Sequence, residues 1–175
     1  MKKIGLFYGT ATAKTAAVAK KIKEAFGEDI VDIIPVEQSD EKEFNAYEYI
    51  IAGSSTWFDG ELPTYWDETL PELTGLDLTG KKVALFGLGD QKKYPDNFAD
   101  GIGILAKGFT DRGATLVGRT SPENPEQAAG TITTTLCHRP YFRFTMRQHV
   151  FGHLQRIVFD KLRDRRTGQH LYCTV

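Results

Sequence analysis

The chain has 175 residues, 41% hydrophobic and 26% charged, the proportions of an ordinary soluble protein long enough to bury a core. No run is long and apolar enough to cross a membrane, and Lys2-Lys3 leads straight into a strand-like run, so no secretion signal is read and a cytoplasmic protein is expected. The net charge of −1 hides an asymmetry: residues 1–118 hold 13 Lys and Arg against 19 Asp and Glu, while residues 119–175 hold 9 against 4 together with all 4 histidines.

In chain order, Ile4-Gly5-Leu6-Phe7-Tyr8 reads as a strand that stops at Gly9-Thr10-Ala11-Thr12-Ala13-Lys14-Thr15. A helix is predicted over 14–26, with Val18, Ile22 and Ala25 forming its apolar stripe. A second strand is expected over 30–35, then a short helix over 40–45 with Ser39 as its N-cap. Tyr49-Ile50-Ile51-Ala52-Gly53 reads as a buried strand, followed by a long loop over 54–65 and a helix near 66–73. Lys82-Val83-Ala84-Leu85-Phe86-Gly87 is a fourth strand. A second long loop over 88–97 precedes a helix near 98–112, which Gly113 ends, and a fifth strand covers 114–118. Apolar strands alternating with helices imply an α/β fold with a parallel sheet covered on both faces. In such sheets ligands bind beyond the C-terminal strand ends, where the three long loops fall.

The first loop joins a strand to a helix start, a junction that aims backbone N–H groups and a helix dipole at one spot and so suits a phosphate. Thr10, Thr12 and Thr15 add hydroxyl donors, or serve as helix caps, and Lys14 is read as a helix-start lysine. A nucleotide P-loop is discounted, because the spacing is one residue short and the second glycine is missing. Trp57 and Tyr94, taken singly, read as ordinary half-buried aromatics, and Asp90 as a turn residue. Glu61, Asp67 and Glu68 read as solvated surface. Cys137 and Cys173 have no metal-like spacing and argue against a disulfide framework.

Three loops together change that reading. Thr10-Ala11-Thr12-Ala13-Lys14-Thr15, Ser54-Ser55-Thr56-Trp57-Phe58-Asp59-Gly60-Glu61-Leu62 and Phe86-Gly87-Leu88-Gly89-Asp90-Gln91-Lys92-Lys93-Tyr94-Pro95-Asp96-Asn97-Phe98 resemble the three FMN loops of long-chain flavodoxins, electron carriers that hold FMN non-covalently. The third loop is the most specific of the three, and the likeness covers residues 2–118. The resemblance implies a three-layer flavodoxin-like fold, a five-stranded parallel sheet in order 2-1-3-4-5 with helices on both faces. It implies a phosphate loop at Thr10, Ala11, Thr12, Ala13, Lys14 and Thr15, with Ser55 and Thr56 beside the ring. Trp57 and Tyr94 are implied to sandwich the isoalloxazine, while Leu88, Gly89, Asp90 and Asn97 meet its pyrimidine edge. The Phe58–Asp59–Gly60 backbone matches the turn whose peptide rotates toward flavin N5 on reduction. The acidic residues Asp59, Glu61, Asp67, Glu68, Asp90 and Asp96, with Tyr94 stacking, imply a low reduction potential and an acidic face for basic redox partners, a reductase donor and an enzyme acceptor. A monomer with no catalytic residue, no nucleic acid and no membrane partner is implied.

Two departures stand out. The family's loop glycine is Ala13 here, which is compatible with the motif if Ala13 is helical. The likeness fades after about residue 120, and the ribityl contact that the family takes from that region is not carried over. Residues 1–120 are therefore read as the FMN-binding core and 121–175 as a divergent basic segment, within the same domain or partly disordered. Val150, Phe151, Leu154, Ile157, Val158 and Leu162 recur at helical spacing and would replace the closing helix. His149 and His153 share a metal-compatible spacing but lack a third ligand. The tail arginines, Arg139, Arg143, Arg147, Arg156, Arg163, Arg165 and Arg166, read as solvated rather than as a nucleic-acid site. A reading-frame change in the coding sequence would explain the abrupt loss of likeness, and translation of the other frames tests it. Two functional alternatives remain: an FMN-dependent NAD(P)H or quinone reductase of the same fold, and a non-redox interaction protein that has lost flavin binding.

Overall fold

The computed structural model describes residues 3–10, 13–89, 93, 94, 96, 97 and 100–118. The elements are β1 (Ile4–Tyr8), α1 (Ala13–Phe26), β2 (Val31–Pro35), a single 3-10 turn (Val36–Gln38), α2 (Glu41–Asn45), β3 (Tyr49–Ser55), α3 (Thr64–Glu72), β4 (Lys82–Leu88), α4 (Asp100–Asp111) and β5 (Thr115–Leu116). Ala11, Thr12 and Asp90, the expected helix in 148–166, the His149/His153 pair and the arginine-rich tail all lie outside the described residues.

The five strands form one parallel sheet in the order β2-β1-β3-β4-β5, as expected. Side chains alternate between its two faces, so neighbours in sequence enter different cores. Leu6, Ile51, Ala84 and Phe86 pack with Val18, Ala19, Ile22 and Phe26 of α1. Phe7, Ile50, Ala52, Val83 and Leu85 pack with Phe44 of α2, Trp66 and Leu70 of α3, and Ile102, Leu105 and Phe109 of α4. Both faces are therefore covered, which is why these strands read as continuous apolar runs rather than alternating ones.

Differences from the expectations are local. Asp40, not Ser39, caps α2: its carboxylate accepts from Lys42 N at 2.6 Å while Glu43 Oε2 accepts from Asp40 N at 2.9 Å, a reciprocal capping box. A negative charge also suits a helix N-terminus better than a hydroxyl does. Ser39 instead closes the preceding 3-10 turn, donating from Oγ to Val36 O at 2.7 Å. α3 starts at Thr64, two positions earlier than expected, directly after Pro63. The fifth strand spans only Thr115–Leu116, although Val117 N still donates to Val83 O at 2.8 Å.

One side chain ties the far end of the helical layer together. Arg112 donates to Leu73 O at 2.7 Å, Gly108 O at 2.8 Å and Leu70 O at 2.6 Å. These carbonyls belong to the C-terminal ends of α3 and α4, where a cation also meets the negative ends of the helix dipoles. The opposite end of the molecule, at the C-terminal strand edge, is thereby left to the loops.

Candidate functional site

The parallel registers bring Tyr8 beside both Pro35 and Gly53, Gly53 beside Phe86, and Ser55 beside Leu88, so four strands end along one edge. The loops after β1, β3 and β4 are fastened there by named hydrogen bonds. Gly9 N donates to Gly53 O at 3.2 Å, and the fully buried Trp66 donates from Nε1 to the same carbonyl at 2.9 Å. Thr56 N donates to Leu88 O at 3.0 Å, and Thr56 Oγ1 accepts from Gly101 N at 3.2 Å. Gly53 permits the close approach at the centre, since a Cβ there would lie 1.9 Å from Phe86 Cζ.

In the first loop, Thr10 is half-buried and its hydroxyl donates to Glu37 Oε1. Ala13 is the first residue of α1 and is exposed, as is Lys14, while Thr15 is completely buried. The first turn of this 14-residue helix carries no acidic side chain to compete with an anion.

The second loop is a closed turn. Trp57 N donates to Glu61 O at 2.9 Å, Glu61 N donates back to Trp57 O at 2.8 Å, and Gly60 N donates to Trp57 O at 3.1 Å. Closing it places Phe58 at φ 43° and Gly60 at φ 104°. Phe58 is the one non-glycine among the described residues with positive φ, a conformation that costs a β-carbon-bearing residue on the order of 1 kcal/mol. Its ring is 76% exposed and meets half-buried Trp57 edge-on, with centroids 6.1 Å apart. Ser55, half-buried, ends β3, and the buried Ser54 Oγ donates to Ser55 O at 2.8 Å.

The third loop begins at buried Leu88 and exposed Gly89. Tyr94 is 59% exposed. Asn97 is half-buried, and its carbonyl accepts from Asp100 N at 3.5 Å. Two residues that the sequence did not single out border these loops. Asp100 opens α4 with its carboxylate against Gly60, where a Cβ would lie 3.0 Å from Oδ2, and burial pushes its pKa above the ordinary value of 3.8. Glu37 stands on the other side, against Thr10.

Chemically, the described loop residues offer backbone donors, hydroxyls and aromatic faces. One sheet edge thus carries, on its three loops, a helix N-terminus free of acidic side chains in its first turn, a half-buried indole and an exposed phenol ring, features that suit a planar aromatic cofactor with a phosphate.

A family model described as flavodoxin matches residues 6–136. A flavodoxin of Nostoc sp. is 48% identical over 122 residues, covering 70% of this chain and 72% of the relative. Flavodoxin 1 of Escherichia coli is 39% identical over 114 residues, 65% of each chain. Among solved structures, the flavin-mononucleotide-bound flavodoxin of Fusobacterium nucleatum superposes with a TM-score of 0.66 at 33% identity, covering 71% of this chain and 74% of that one. Oxidised flavodoxin 2 of Bacillus cereus gives a TM-score of 0.62 at 36% identity over 71% of this chain and 88% of its own.

Proposed function

The chain belongs to the flavodoxin family, and from that premise we propose that its three-loop edge holds FMN non-covalently and that the protein carries single electrons at low potential between larger redox enzymes. The observation that carries this reading is the fastening of the three loops to one sheet edge through Gly53 O and the Thr56–Leu88 bond. Bound FMN supplies the redox chemistry, taking up and releasing electrons at its ring; the protein's part is to hold it, orient it and set its surroundings.

The residues are assigned to each task from the resemblance of the three loops to those of the family. The loop from Thr10 to Thr15 receives the phosphate through backbone N–H groups, hydroxyls and the N-terminus of α1, with Ala11 and Thr12 included. Neutral donors suit a phosphate that is held and never cleaved. Trp57 and Tyr94 offer their faces to the ring, and large rigid aromatics give extensive contact with little rotamer entropy to lose. Ser55, Thr56, Phe58, Gly60, Leu88, Gly89, Asp90 and Asn97 are assigned to the ring's edges.

Asp59, Glu61 and Asp96 are exposed around the loops, with Asp67 and Glu68 on α3 nearby in sequence. Negative groups near the ring oppose added negative charge, which lowers the potential of the fully reduced couple. The same groups would steer basic donor and acceptor proteins to this face. Residues 1–120 are assigned as the binding core, 121–175 as a divergent continuation, and the working unit as a cytoplasmic monomer without catalytic residues. No helix among the described residues is long and apolar enough to cross a membrane.

The test is titration of the apoprotein with FMN, read by quenching of flavin fluorescence. Saturable one-to-one quenching is expected. A colourless protein that takes up no FMN would overturn the proposal, and oxidation of NAD(P)H without a partner enzyme would transfer it to a reductase.

A further inference from the structure

Glu37 belongs to no cofactor loop, yet the sheet order delivers it to one. β2 pairs with β1 so that Pro35 lies opposite Tyr8. The two strands therefore end side by side, and the residues after each must border one another. Beyond β1 comes the Thr10 loop; beyond β2 comes the turn Val36–Gln38. That turn is well anchored. Val36 is completely buried, and its carbonyl accepts from both Ser39 N at 3.1 Å and Ser39 Oγ at 2.7 Å. Glu37 is consequently presented from a fixed backbone, and its Oε1 accepts the hydroxyl proton of Thr10.

That contact matters because a hydroxyl has one proton to give. While Thr10 donates to Glu37, it turns only lone pairs toward an anion in the loop. If it redirects its proton to a phosphate oxygen, the carboxylate loses a partner and still stands one hydroxyl away from a dianion. Either arrangement penalises the phosphate, and neither involves the flavin ring. The penalty is electrostatic and local.

Resting on the FMN reading above, we propose that Glu37 is a specificity-determining residue that acts, through Thr10 and through its own charge, against the cofactor phosphate. It sets how far the site prefers phosphorylated flavin over the free flavin. With Glu37 in place the phosphate contributes less to affinity than the loop could extract, and the cofactor remains more readily exchangeable.

The experiment compares Kd values of FMN and riboflavin for apoprotein of the full chain and of Glu37→Gln, by fluorescence quenching at low ionic strength. Glutamine keeps an acceptor for the Thr10 hydroxyl and removes the charge. FMN binding is expected to tighten about five- to tenfold, the scale of one exposed charge acting on a dianion, with riboflavin binding changed less than about twofold. At about 1 M salt, where screening acts over only ~3 Å, the gap between the two proteins should shrink. A merely structural role for Glu37 would move both flavins together and would not depend on salt. Glu37→Ala supplies the same comparison with the acceptor also removed and should shift the FMN-to-riboflavin ratio in the same direction. An unchanged or reduced preference for FMN in both variants, with FMN still bound by the parent, overturns this inference alone. A parent that binds neither flavin overturns the functional reading and this inference together.

Discussion

Ala13 offers the sharpest test of how the first loop works. A glycine at this position would be needed if the loop required a left-handed backbone there. Ala13 is instead the first residue of α1, exposed, and Phe58 is the only non-glycine with positive φ among the described residues. Ala13 therefore has a helical backbone and an exposed side chain, so no left-handed conformation is demanded of it. Ala13→Gly removes no buried contact but enlarges the conformational freedom of the unfolded chain and of the helix start. In a helix interior that exchange costs about 0.5–1 kcal/mol, and at a first residue the lower end, about 0.5 kcal/mol, is appropriate. For a protein of this size the shift in Tm is about 1–2 °C downward. The same freedom must be lost when the loop closes on a phosphate, so FMN should bind equally well or up to about twofold more weakly. Thermal unfolding of the apoprotein and FMN titration measure both quantities. A gain in stability, or FMN binding tightened tenfold, would show that the alanine strains the loop and would refute the argument.

The other expectations concern the walls of the site. Trp66→Phe removes the 2.9 Å bond from Nε1 to Gly53 O and leaves a cavity where the completely buried indole stood; since Gly9 N still reaches that carbonyl, lost bond and cavity together should cost about 2–4 kcal/mol in urea unfolding, and a change indistinguishable from zero would sink the assignment. Phe58→Asn should stabilise the apoprotein by about 0.5–1 kcal/mol, because asparagine tolerates positive φ and the replaced ring is mostly exposed; a lower Tm would mean that the contact with Trp57 outweighs the strain. Burial raises the pKa of Asp100, so the folded state holds its proton more tightly than the unfolded state does. The wild-type contribution is therefore full below the ordinary value of 3.8 and is lost as pH rises through the raised value. Asp100→Asn should remove this segment of the pH dependence, and urea midpoints that fall in parallel for both proteins between pH 3 and 7 would contradict it.

What the sequence could and could not disclose follows from the range of each interaction. The strands were legible because both sheet faces are covered, which turns Ile4 to Phe7 or Val83 to Phe86 into unbroken apolar runs. The loop positions followed from where those runs stop, and Gly60 and Gly113 marked turns that do adopt positive φ. Ser39 and Asp40 were confused because both are good caps, and only the backbone decides which one faces Lys42 N. Glu37 was beyond reach for a deeper reason. Its partner lies 27 residues away, and nothing in the local pattern of either segment requires the other. The pairing becomes predictable only after the strand order is known, because that order makes the segment after β2 the neighbour of the segment after β1. Asp100 is a case of the same kind, placed against Gly60 by the packing of α4 beside the end of β3. The residues that a motif names thus lie close together in sequence, within one loop. Those that border a loop from an adjacent strand end or helix start, as Glu37 and Asp100 do, are set by topology and leave no trace in the loop's own sequence.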